Sequence, residues 1–557
     1  MNDPYESKPW LKFYDKHVPA KIKYPNKSYP EMYRDNYPQF KDMVAIYYAG
    51  KAISFPELES MSNQFANFLI KQGLKPGDVV GVNLPNVPAY YIAILGTLKA
   101  GCVLSGVSPL LTQRELEYQL NNSGAKVLVA IDLLWGNVGA VIAKTGVKAV
   151  AMVGIADFLP ADKPAAPGAL PSVPGIAINH FLGILKEMPD TDPKVKISPD
   201  APALMQYTGG TTGPSKGAVL THKNMVDHIT QLVVWLDYKL GKDVLLSAFP
   251  LFHQAGLGTS MWSMAFGQTQ IAVANPRDLA GLINLAKTYK PTAFCNVPTI
   301  YIELGKQPAF KELDFSNVKY FLSGAAPFPP EYIKDFEAIV GAGKVCEGLG
   351  MTETSPLTLV EPCYGKKKPG SVGLPFPNVE VRVIDPVTKE IVPIGESGEF
   401  VAKGPQVFTL GYHNMPEETA NTLKDGWIYT GDVVRMDEDG YFWVVDRLKD
   451  MVNVSGYKVF TRELDDIICE HPAVAMAATI GVPDPKRPGS QMVATAVVLK
   501  PGVEKSEATR TSILNFIKER EAAYKVPKRI EFMDQLPLSA VGKILKRELR
   551  DIMIPKA

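Results

Sequence analysis

The sequence predicts an α/β protein with a large N-terminal domain and a smaller α/β C-terminal domain. Its 557 residues are more than one hydrophobic core usually organises. Apolar residues at helical spacing alternate with short runs that read as strands, which is typical of helix-covered sheets. Residues 370–441 instead hold short strands between Gly and Pro turns, which indicates a small β subdomain within the N-terminal domain.

The first elements show the alternation clearly. Apolar residues from Leu58 to Leu69 share one helix face, and Gly73 can end that helix before a strand at 79–82. Residues 90–111 are strongly apolar but contain Lys99, so a core helix, turn and strand is predicted there instead of a membrane span. The same alternation predicts strands at 126–131 and 147–153 and a helix at 279–289.

A second α/β unit is predicted after residues 446–450. Its elements are strands near 475–480 and 493–499 and a helix at 511–521, about a hundred residues in all, which is enough for a separate domain. We therefore predict domains at residues 1–447 and 448–557.

The composition excludes several classes of protein. Lysine and arginine total 59 against 58 aspartates and glutamates, so a broad basic surface for nucleic acid is not expected. The first residues lack the apolar core of a signal peptide, and five cysteines are scattered without a CxxC pair. We expect a cytoplasmic protein without a transmembrane segment. Peripheral membrane contact and the oligomeric state stay open.

Residues 207–217, YTGGTTGPSKG, are typical of a phosphate-binding loop. Glycines let backbone N–H groups converge on an anion, hydroxyls add donors, and a lysine adds a mobile positive charge. The apolar residues 203–207 predict a strand before the loop, and Thr221 can cap a helix after it, so a loop between strand and helix is expected. The phosphate-binding candidates are Thr208, Gly209, Gly210, Thr211, Thr212, Gly213 and Lys216.

Further segments supply the other groups that polyphosphate chemistry needs. GLGMTETS at 348–355 places Thr352 and Glu353 after a glycine-flanked turn, where a hydroxyl can meet phosphate and a carboxylate can hold Mg²⁺. YTGD at 429–432 puts Asp432 at a predicted turn, where its two oxygens can hold the hydroxyls of a ribose. Arg447 follows in residues 446–459, and PLSAVGKILKR at 537–547 presents Lys543 before a basic helix.

These five segments, in this order and spacing, resemble those of the AMP-forming acyl-CoA synthetases of the adenylate-forming enzyme superfamily. The resemblance covers essentially the whole chain, and YTGGTTG with the GKILKREL ending looks most like the bacterial fatty-acid CoA ligases. In that family a carboxylate attacks the α-phosphate of ATP, pyrophosphate leaves, and the thiol of coenzyme A then displaces AMP from the acyl-adenylate. The resemblance implies ATP, Mg²⁺, coenzyme A and a carboxylic acid as the molecules bound.

The resemblance also implies roles for individual residues. Lys543 would neutralise the carboxylate and the α-phosphate, Glu353 would hold Mg²⁺, and Thr352 would contact the α-phosphate. Asp432 and Arg447 would hold the ribose, and His253 in PLFHQAGLG would position the acyl group. The adenine slot would be lined by Ser323, Gly324, Ala325, Ala326, Glu347, Gly348 and Leu349.

In the family the C-terminal domain rotates between the two steps, so a mobile domain with a hinge at Lys449 is implied. The Ser455-Gly456-Tyr457 turn would then line the tunnel for the pantetheine of coenzyme A. Two positions depart from the family pattern. Leu349 stands where a tyrosine commonly stacks on adenine, which puts the affinity for ATP in doubt, and Thr461 stands where a proline often occurs.

The function expected from these residues is ligation of a carboxylic acid to coenzyme A, with a medium- or long-chain fatty acid as the leading substrate. An aryl or alicyclic acid is the alternative, since no motif reports the shape of the acyl pocket. Transfer of the adenylated acyl group to a carrier protein, a non-catalytic acyl or nucleotide binder, and reverse operation to form ATP also stay open.

Overall fold

The computed structural model describes residues 3–160, 168–208, 214–454, 457–485, 487, 490–539 and 543–554. Along those residues the α-helices are α1 (Tyr29–Asn36), α2 (Phe55–Lys71), α3 (Pro88–Lys99), α4 (Gln113–Ser123), α5 (Trp135–Gly139), α6 (Phe181–Glu187), α7 (His222–Trp235), α8 (Gln254–Ala265), α9 (Leu279–Tyr289), α10 (Pro298–Lys306), α11 (Pro308–Lys311), α12 (Pro330–Val340), α13 (Pro416–Thr422), α14 (Thr461–Cys469), α15 (Glu507–Lys518) and α16 (Lys546–Met553).

The strands over the same ranges are β1 (Val44–Tyr48), β2 (Lys51–Ser54), β3 (Val79–Asn83), β4 (Val103–Gly106), β5 (Ala125–Ile131), β6 (Ala149–Val153), β7 (Ala177–His180), β8 (Pro202–Thr208), β9 (Lys216–Thr221), β10 (Val244–Ser247), β11 (Thr269–Ala272), β12 (Ala293–Asn296), β13 (Tyr320–Ser323), β14 (Val345–Gly350), β15 (Leu357–Val360), β16 (Leu374–Pro375), β17 (Glu380–Ile384), β18 (Ser397–Lys403), β19 (Leu423–Lys424), β20 (Trp427–Met436), β21 (Phe442–Arg447), β22 (Val452–Val454), β23 (Tyr457–Val459), β24 (Val474–Pro483), β25 (Gln491–Leu499) and β26 (Arg529–Met533).

Two large sheets form the N-terminal part of the molecule. One has seven strands in the order β7-β6-β5-β3-β4-β8-β9, parallel except for the antiparallel pair β8 and β9. The other has nine strands in the order β16-β15-β14-β13-β12-β10-β11-β1-β2, with a parallel stretch from β14 to β1. Helices and three apolar clusters cover the two sheets, so the predicted α/β class is confirmed.

The predicted helix, turn and strand at 90–111 is confirmed as α3 followed by β4. Lys99 at the end of α3 is buried and donates to Glu59 Oε2 at 2.6 Å, so its charge is neutralised inside the core. Across the described ranges, no helix has the length and apolar character that crossing a bilayer requires.

The small β subdomain is an antiparallel sheet in the order β17-β18-β20-β19, with β21 beside β20. Strands β17 and β18 are among the short strands predicted within residues 370–441. The pairing of β20 with β21 brings Asp432 opposite Arg447. This register places two of the predicted site residues side by side.

The C-terminal part contains a three-stranded sheet, β24-β25-β26, and the hairpin of β22 and β23. One face of the sheet packs against α14 and α15 through Leu464, Ile468 and Ile513. The other face packs against α16 through Leu549 and Met553. Each face therefore has its own small apolar core.

The loop after β8 differs from the expectation. Instead of leading directly into a helix, it joins β8 to the antiparallel strand β9, and Thr221 at the end of β9 then caps α7 by accepting the Asn224 N–H at 3.0 Å. The prediction that Thr221 caps a helix is confirmed. The prediction of a loop leading directly from strand to helix is wrong, because residues 216–221 form six ladder pairs with β8 before the helix begins.

Candidate active site

The phosphate-loop candidates sit at the end of the β8–β9 hairpin. Thr208 pairs with Lys216 where the two strands separate, and the Thr208 hydroxyl donates to the Lys216 carbonyl at 3.5 Å. Helix α4 supports the hairpin, because Tyr118 donates to the Ser215 carbonyl at 3.2 Å and Tyr207 donates to Asn122 Oδ1 at 2.6 Å. Gly209, Gly210, Thr211, Thr212 and Gly213 lie outside the described residues.

Lys216 is held in place rather than mobile, which corrects the expectation of a free point charge. Its ammonium forms an ion pair with Glu418 at the start of α13 and lies 5.3 Å from the ring centroid of Tyr412. Both contacts hold the positive charge beside the mouth of the hairpin.

Glu353 lies in a short 3-10 turn, Thr352–Thr354, directly after β14. Its carboxylate is buried, and Oε1 accepts a hydrogen bond from the Tyr412 hydroxyl. Its carbonyl accepts the Phe408 N–H at 2.8 Å, which fixes the turn against residues 408–412. Burial raises the pKa of the Glu353 carboxyl above its ordinary value. The charges of Arg447 and Lys543 oppose this shift without reversing it. Thr352 begins the same turn and is only partly buried.

Asp432 and Arg447 form an ion pair across β20 and β21, with Arg447 Nε 2.8 Å from Asp432 Oδ1. The predicted turn at Asp432 is wrong, because the residue lies inside β20, where Gly431 adopts a φ of +69°. The aspartate side chain is buried, whereas the arginine side chain is 43% exposed. The pair therefore presents one carboxylate and one guanidinium at the same edge.

Lys543 points its charge into this cluster from the C-terminal part of the chain. Burial and the positive charge of Arg447 lower its pKa to about 8, against the opposing pull of Asp432 and Glu353. Its N–H donates to Ser539 Oγ at 3.0 Å, and its carbonyl accepts the Ser539 N–H at 2.8 Å. Those bonds join Lys543 to Ser539, and Lys543 lies three residues before α16.

His253 caps the N-terminus of α8, where its Nδ1 accepts the Ala255 N–H at 3.2 Å. Burial lowers its pKa to about 3, and the charge of Lys543 acts in the same direction. The imidazole is therefore neutral at physiological pH.

The adenine-slot candidates lie at the carboxyl ends of adjacent parallel strands. Ser323 at the end of β13 pairs with Glu347 in β14, and a Cβ on Gly324 would be 3.5 Å from the Gly348 carbonyl. Burial raises the pKa of Glu347 to about 8, although the charge of Arg462 opposes the shift. Ala325, with a φ of +68°, and Ala326 follow β13, and Leu349 lies in β14 opposite Leu359.

The residues assigned to the hinge and the CoA tunnel lie on the C-terminal side of the ion pair. Lys449 is in the turn after β21. Tyr457 begins β23, is 61% exposed and stacks on Tyr524 with ring centroids 4.8 Å apart. Ser455 and Gly456 lie outside the described residues.

Sequence reasoning missed Tyr412 and Glu418. Tyr412 donates a hydrogen bond to Glu353, which is 59 positions away in the sequence. Glu418 forms an ion pair with Lys216, which is 202 positions away. The constraint at the neighbouring Gly411 is visible only in the structure, where a Cβ would come within 2.2 Å of Thr419 and the φ is +71°. A glycine required by close packing beside two phosphate-loop strands marks a constrained segment.

Magnesium fits the donor set. Mg²⁺ is usually bound through one or two carboxylates together with substrate phosphates. Glu353 offers a buried carboxylate with one oxygen already fixed by Tyr412, beside the phosphate-loop hairpin. Within the described ranges no group of three His, Cys, Asp or Glu side chains could hold a metal by itself.

Two protein-family models match this chain. Residues 33–413 match the family described as AMP-binding enzyme, and residues 463–543 match the AMP-binding enzyme C-terminal domain. A long-chain-fatty-acid–CoA ligase of Bacillus subtilis (strain 168) is 37% identical over 558 residues, covering 97% of each chain.

Two solved structures share the fold. ATP-bound MatB from Rhodopseudomonas palustris has a TM-score of 0.83 and 30% identity, over 94% of this chain and 99% of that one. The anthranilate CoA ligase AuaEII in complex with anthranoyl-AMP has a TM-score of 0.84 and 25% identity, over 95% of this chain and 98% of that one.

Proposed function

The chain belongs to the AMP-binding enzyme family, and from that premise we propose that it ligates a medium- or long-chain fatty acid to coenzyme A. The protein is an AMP-forming acyl-CoA ligase that uses ATP and proceeds through an acyl-adenylate. The observations that carry the proposed assignment of residues are the ion pair of Asp432 with Arg447 and the buried, hydrogen-bonded carboxylate of Glu353, whose charges act on Lys543.

Adenylation requires one anion to attack another, so positive charge must lie at the reacting centre. We assign this role to the Lys543 ammonium, which sits in a desolvated site where its field is stronger than in water. The ammonium neutralises the attacking carboxylate and the α-phosphate together. It also stabilises the charge that builds on the phosphoryl oxygens as the bond to pyrophosphate breaks.

The Glu353 carboxylate would hold Mg²⁺, which when bound would supply neutralisation of the charge on the departing pyrophosphate. Lys216, at the end of the β8–β9 hairpin, adds a second cation at the same end of the nucleotide. Asp432 accepts the hydroxyls of the ribose, with Arg447 orienting the carboxylate. Glu347 and residues 323–326 form the walls for adenine.

His253 lies between this charged cluster and the buried helix α8. Because its imidazole is neutral and its Nδ1 is occupied, Nε2 is the atom that meets the carboxyl group of the acid. Trp235 and Trp262 donate their indole N–H groups to the Glu361 carbonyl and Gln268 Oε1, at 3.0 Å and 2.7 Å. Both are buried and pack the core, so neither serves as a movable wall of the acyl pocket.

The second step needs the thiol of coenzyme A at the carbon that Lys543 faced. We assign the exchange to rotation of residues 448–557 about Lys449, which removes Lys543 and brings in the turn that ends at Tyr457. Among the described residues, the contacts across that boundary include polar ones such as the hydrogen bond from Tyr332 to the Ala475 carbonyl at 3.1 Å, and polar contacts suit a moving interface. Since ATP and coenzyme A are the co-substrates, we place the reaction in the cytoplasm.

An aryl acid is the second candidate, favoured by the structural likeness to the anthranilate CoA ligase. The experiment is a panel of octanoate, palmitate, benzoate and cyclohexanecarboxylate with Mg-ATP and coenzyme A, in which AMP release and loss of free thiol are both measured. We expect the highest kcat/KM for the fatty acids. A preference of tenfold or more for benzoate supports the aryl reading, and AMP release without loss of thiol supports a carrier-protein acceptor.

A further inference from the structure

Tyr412 connects the two groups that the proposed chemistry places on the polyphosphate. It is only 7% exposed, its hydroxyl donates to Glu353 Oε1, and its ring faces the Lys216 ammonium with 5.3 Å to the centroid. The ring of Phe408 packs edge-on against it at 5.2 Å. The phenol therefore touches the proposed metal-binding carboxylate with its polar end and a phosphate-loop cation with its face.

The backbone fixes Tyr412 relative to the phosphate-loop hairpin. Tyr412 forms a bridge with Ala218 in β9, the Val219 N–H donates to the Gly411 carbonyl at 2.9 Å, and the His413 N–H donates to the Gly217 carbonyl at 2.8 Å. The Tyr412 N–H donates to Thr419 Oγ1 at 2.9 Å. Residues 411–413 thus pair with β9, and the backbone of Tyr412 cannot shift without disturbing the strand that carries Lys216.

Other buried tyrosines satisfy their hydroxyls differently. Tyr441 donates to the Lys366 carbonyl, and Tyr301 donates to the Leu322 carbonyl at 2.9 Å. Either arrangement suffices for packing, since a carbonyl oxygen satisfies the buried donor. Tyr412 instead donates to the carboxylate that faces Lys543 and Arg447, a hydrogen bond strengthened by the acceptor's charge.

We propose that Tyr412 is a positioning residue that fixes one oxygen of Glu353 so that the other faces the magnesium of Mg-ATP, while its ring and Glu418 hold Lys216 beside the phosphates. This inference rests on the proposed function and deepens it. The arrangement lowers the reorganisation needed when the polyphosphate binds, since carboxylate and ammonium are already aimed at it.

The test is Tyr412→Phe, which keeps the ring and removes the hydroxyl. Binding of α,β-methylene-ATP is measured by titration calorimetry at a series of Mg²⁺ concentrations. We expect the Mg²⁺ concentration for half-maximal binding to rise roughly ten- to hundredfold, as for loss of a hydrogen bond to a charged group. Pyrophosphate exchange at saturating Mg²⁺ should recover most of its rate.

Two further variants separate positioning from packing. Tyr441→Phe removes a buried tyrosine hydroxyl outside the site, so it should change the melting temperature without shifting the Mg²⁺ midpoint. In a Glu353→Gln background, adding Tyr412→Phe should move the midpoint by less than twofold, because the carboxylate to be aimed is gone.

An unchanged Mg²⁺ midpoint in Tyr412→Phe overturns the inference, as does an equal shift in the Glu353→Gln background. Because the midpoint is read from binding, it tests Tyr412 whichever acid the enzyme accepts. Failure of the proposed function is seen separately, as wild-type protein that gives no acid-dependent pyrophosphate exchange.

Discussion

Lys543 is an ammonium group placed where water would otherwise compete for the reacting anions. Burial and Arg447 bring its pKa down to about 8, so the charged form is present at neutral pH but is lost just above it. Asp432 and Glu353 keep the shift from going further. The Lys543 ammonium therefore exerts a strong electrostatic field on the reacting anions, and its charge depends on pH near neutrality.

The pH dependence of adenylation should follow that lysine. As pH rises through about 8, free enzyme loses the Lys543 proton, and kcat/KM for pyrophosphate exchange should fall. Lys543→Arg should move the fall beyond the measured range, since guanidinium stays charged. Lys543→Ala should cost roughly 10²- to 10³-fold at pH 7. A flat profile up to pH 9.5 in the wild type would remove Lys543 from this role.

Glu347 offers a prediction for stability. Burial raises its pKa in the folded state to about 8, whereas the unfolded chain titrates near 4.5. The folded state therefore holds a proton that the unfolded state releases, and the stability from this group declines as pH rises from about 4.5 to 8. The Glu347→Gln side chain cannot titrate. The melting temperature of this variant should therefore rise relative to that of the wild type as pH increases across that interval. A constant difference between the two proteins contradicts the prediction.

Most residues assigned to the candidate site were proposed from the sequence because they lie in short runs of unusual composition. Lys216, Glu353, Asp432 and Lys543 each stand beside glycines or hydroxyl residues, where ordinary helices and strands seldom place charge. Tyr412 could not be found in this way. Its role comes from a contact with Glu353 across 59 residues, and no local pattern encodes it.

At the scale of elements, the periodicity of apolar residues predicted α2, β3, β5, β6 and α9 because each is long or strongly patterned. The strand β9 was not predicted, because its sequence, KGAVLT, begins with the lysine and glycine of the phosphate loop. Its partner β8 lies just before that loop, so a hairpin and a strand-to-helix turn have the same local sequence signal. Only the tertiary pairing with β8 and Tyr412 decides between them.

Helix α14 is joined to β21 by a network that depends on Thr461. The Thr461 N–H and Oγ1 both donate to the Asp446 carboxylate, and Lys546 donates to Thr461 Oγ1 at 2.6 Å. Asp446 precedes the proposed hinge at Lys449, whereas Thr461 and Lys546 follow it. The network therefore ties α14 and α16 to the strand that carries Arg447.

Replacing Thr461 with proline should loosen that tie. Proline is tolerated as the first residue of a helix but has no N–H, so α14 should persist while Asp446 loses both Thr461 donors. We expect pyrophosphate exchange to fall severalfold and thioester formation from supplied acyl-adenylate to be retained. Thr461→Ser, which keeps N–H and hydroxyl, serves as the matched control. Equal losses in both half-reactions would mean that the network is needed only for folding.

At the scale of the whole molecule, four parts contribute residues to the candidate site. The seven-stranded sheet contributes the phosphate hairpin, the nine-stranded sheet contributes Glu347 and Glu353, and the β subdomain contributes Asp432 and Arg447. The C-terminal part adds Lys543. The alternation of elements made the α/β class predictable, but the meeting of these parts depends on long-range packing that spacing along the chain does not report.

The central claim is that an acid and ATP react at the α-phosphate beside Lys543, and that coenzyme A takes the acyl group. The most direct measurement is the product balance when purified protein is given Mg-ATP, coenzyme A and palmitate, followed by chromatography. The account predicts AMP, pyrophosphate and acyl-CoA in equal amounts, with all three lost together in Lys543→Ala. Formation of ADP, or AMP that appears equally without the acid, would contradict it.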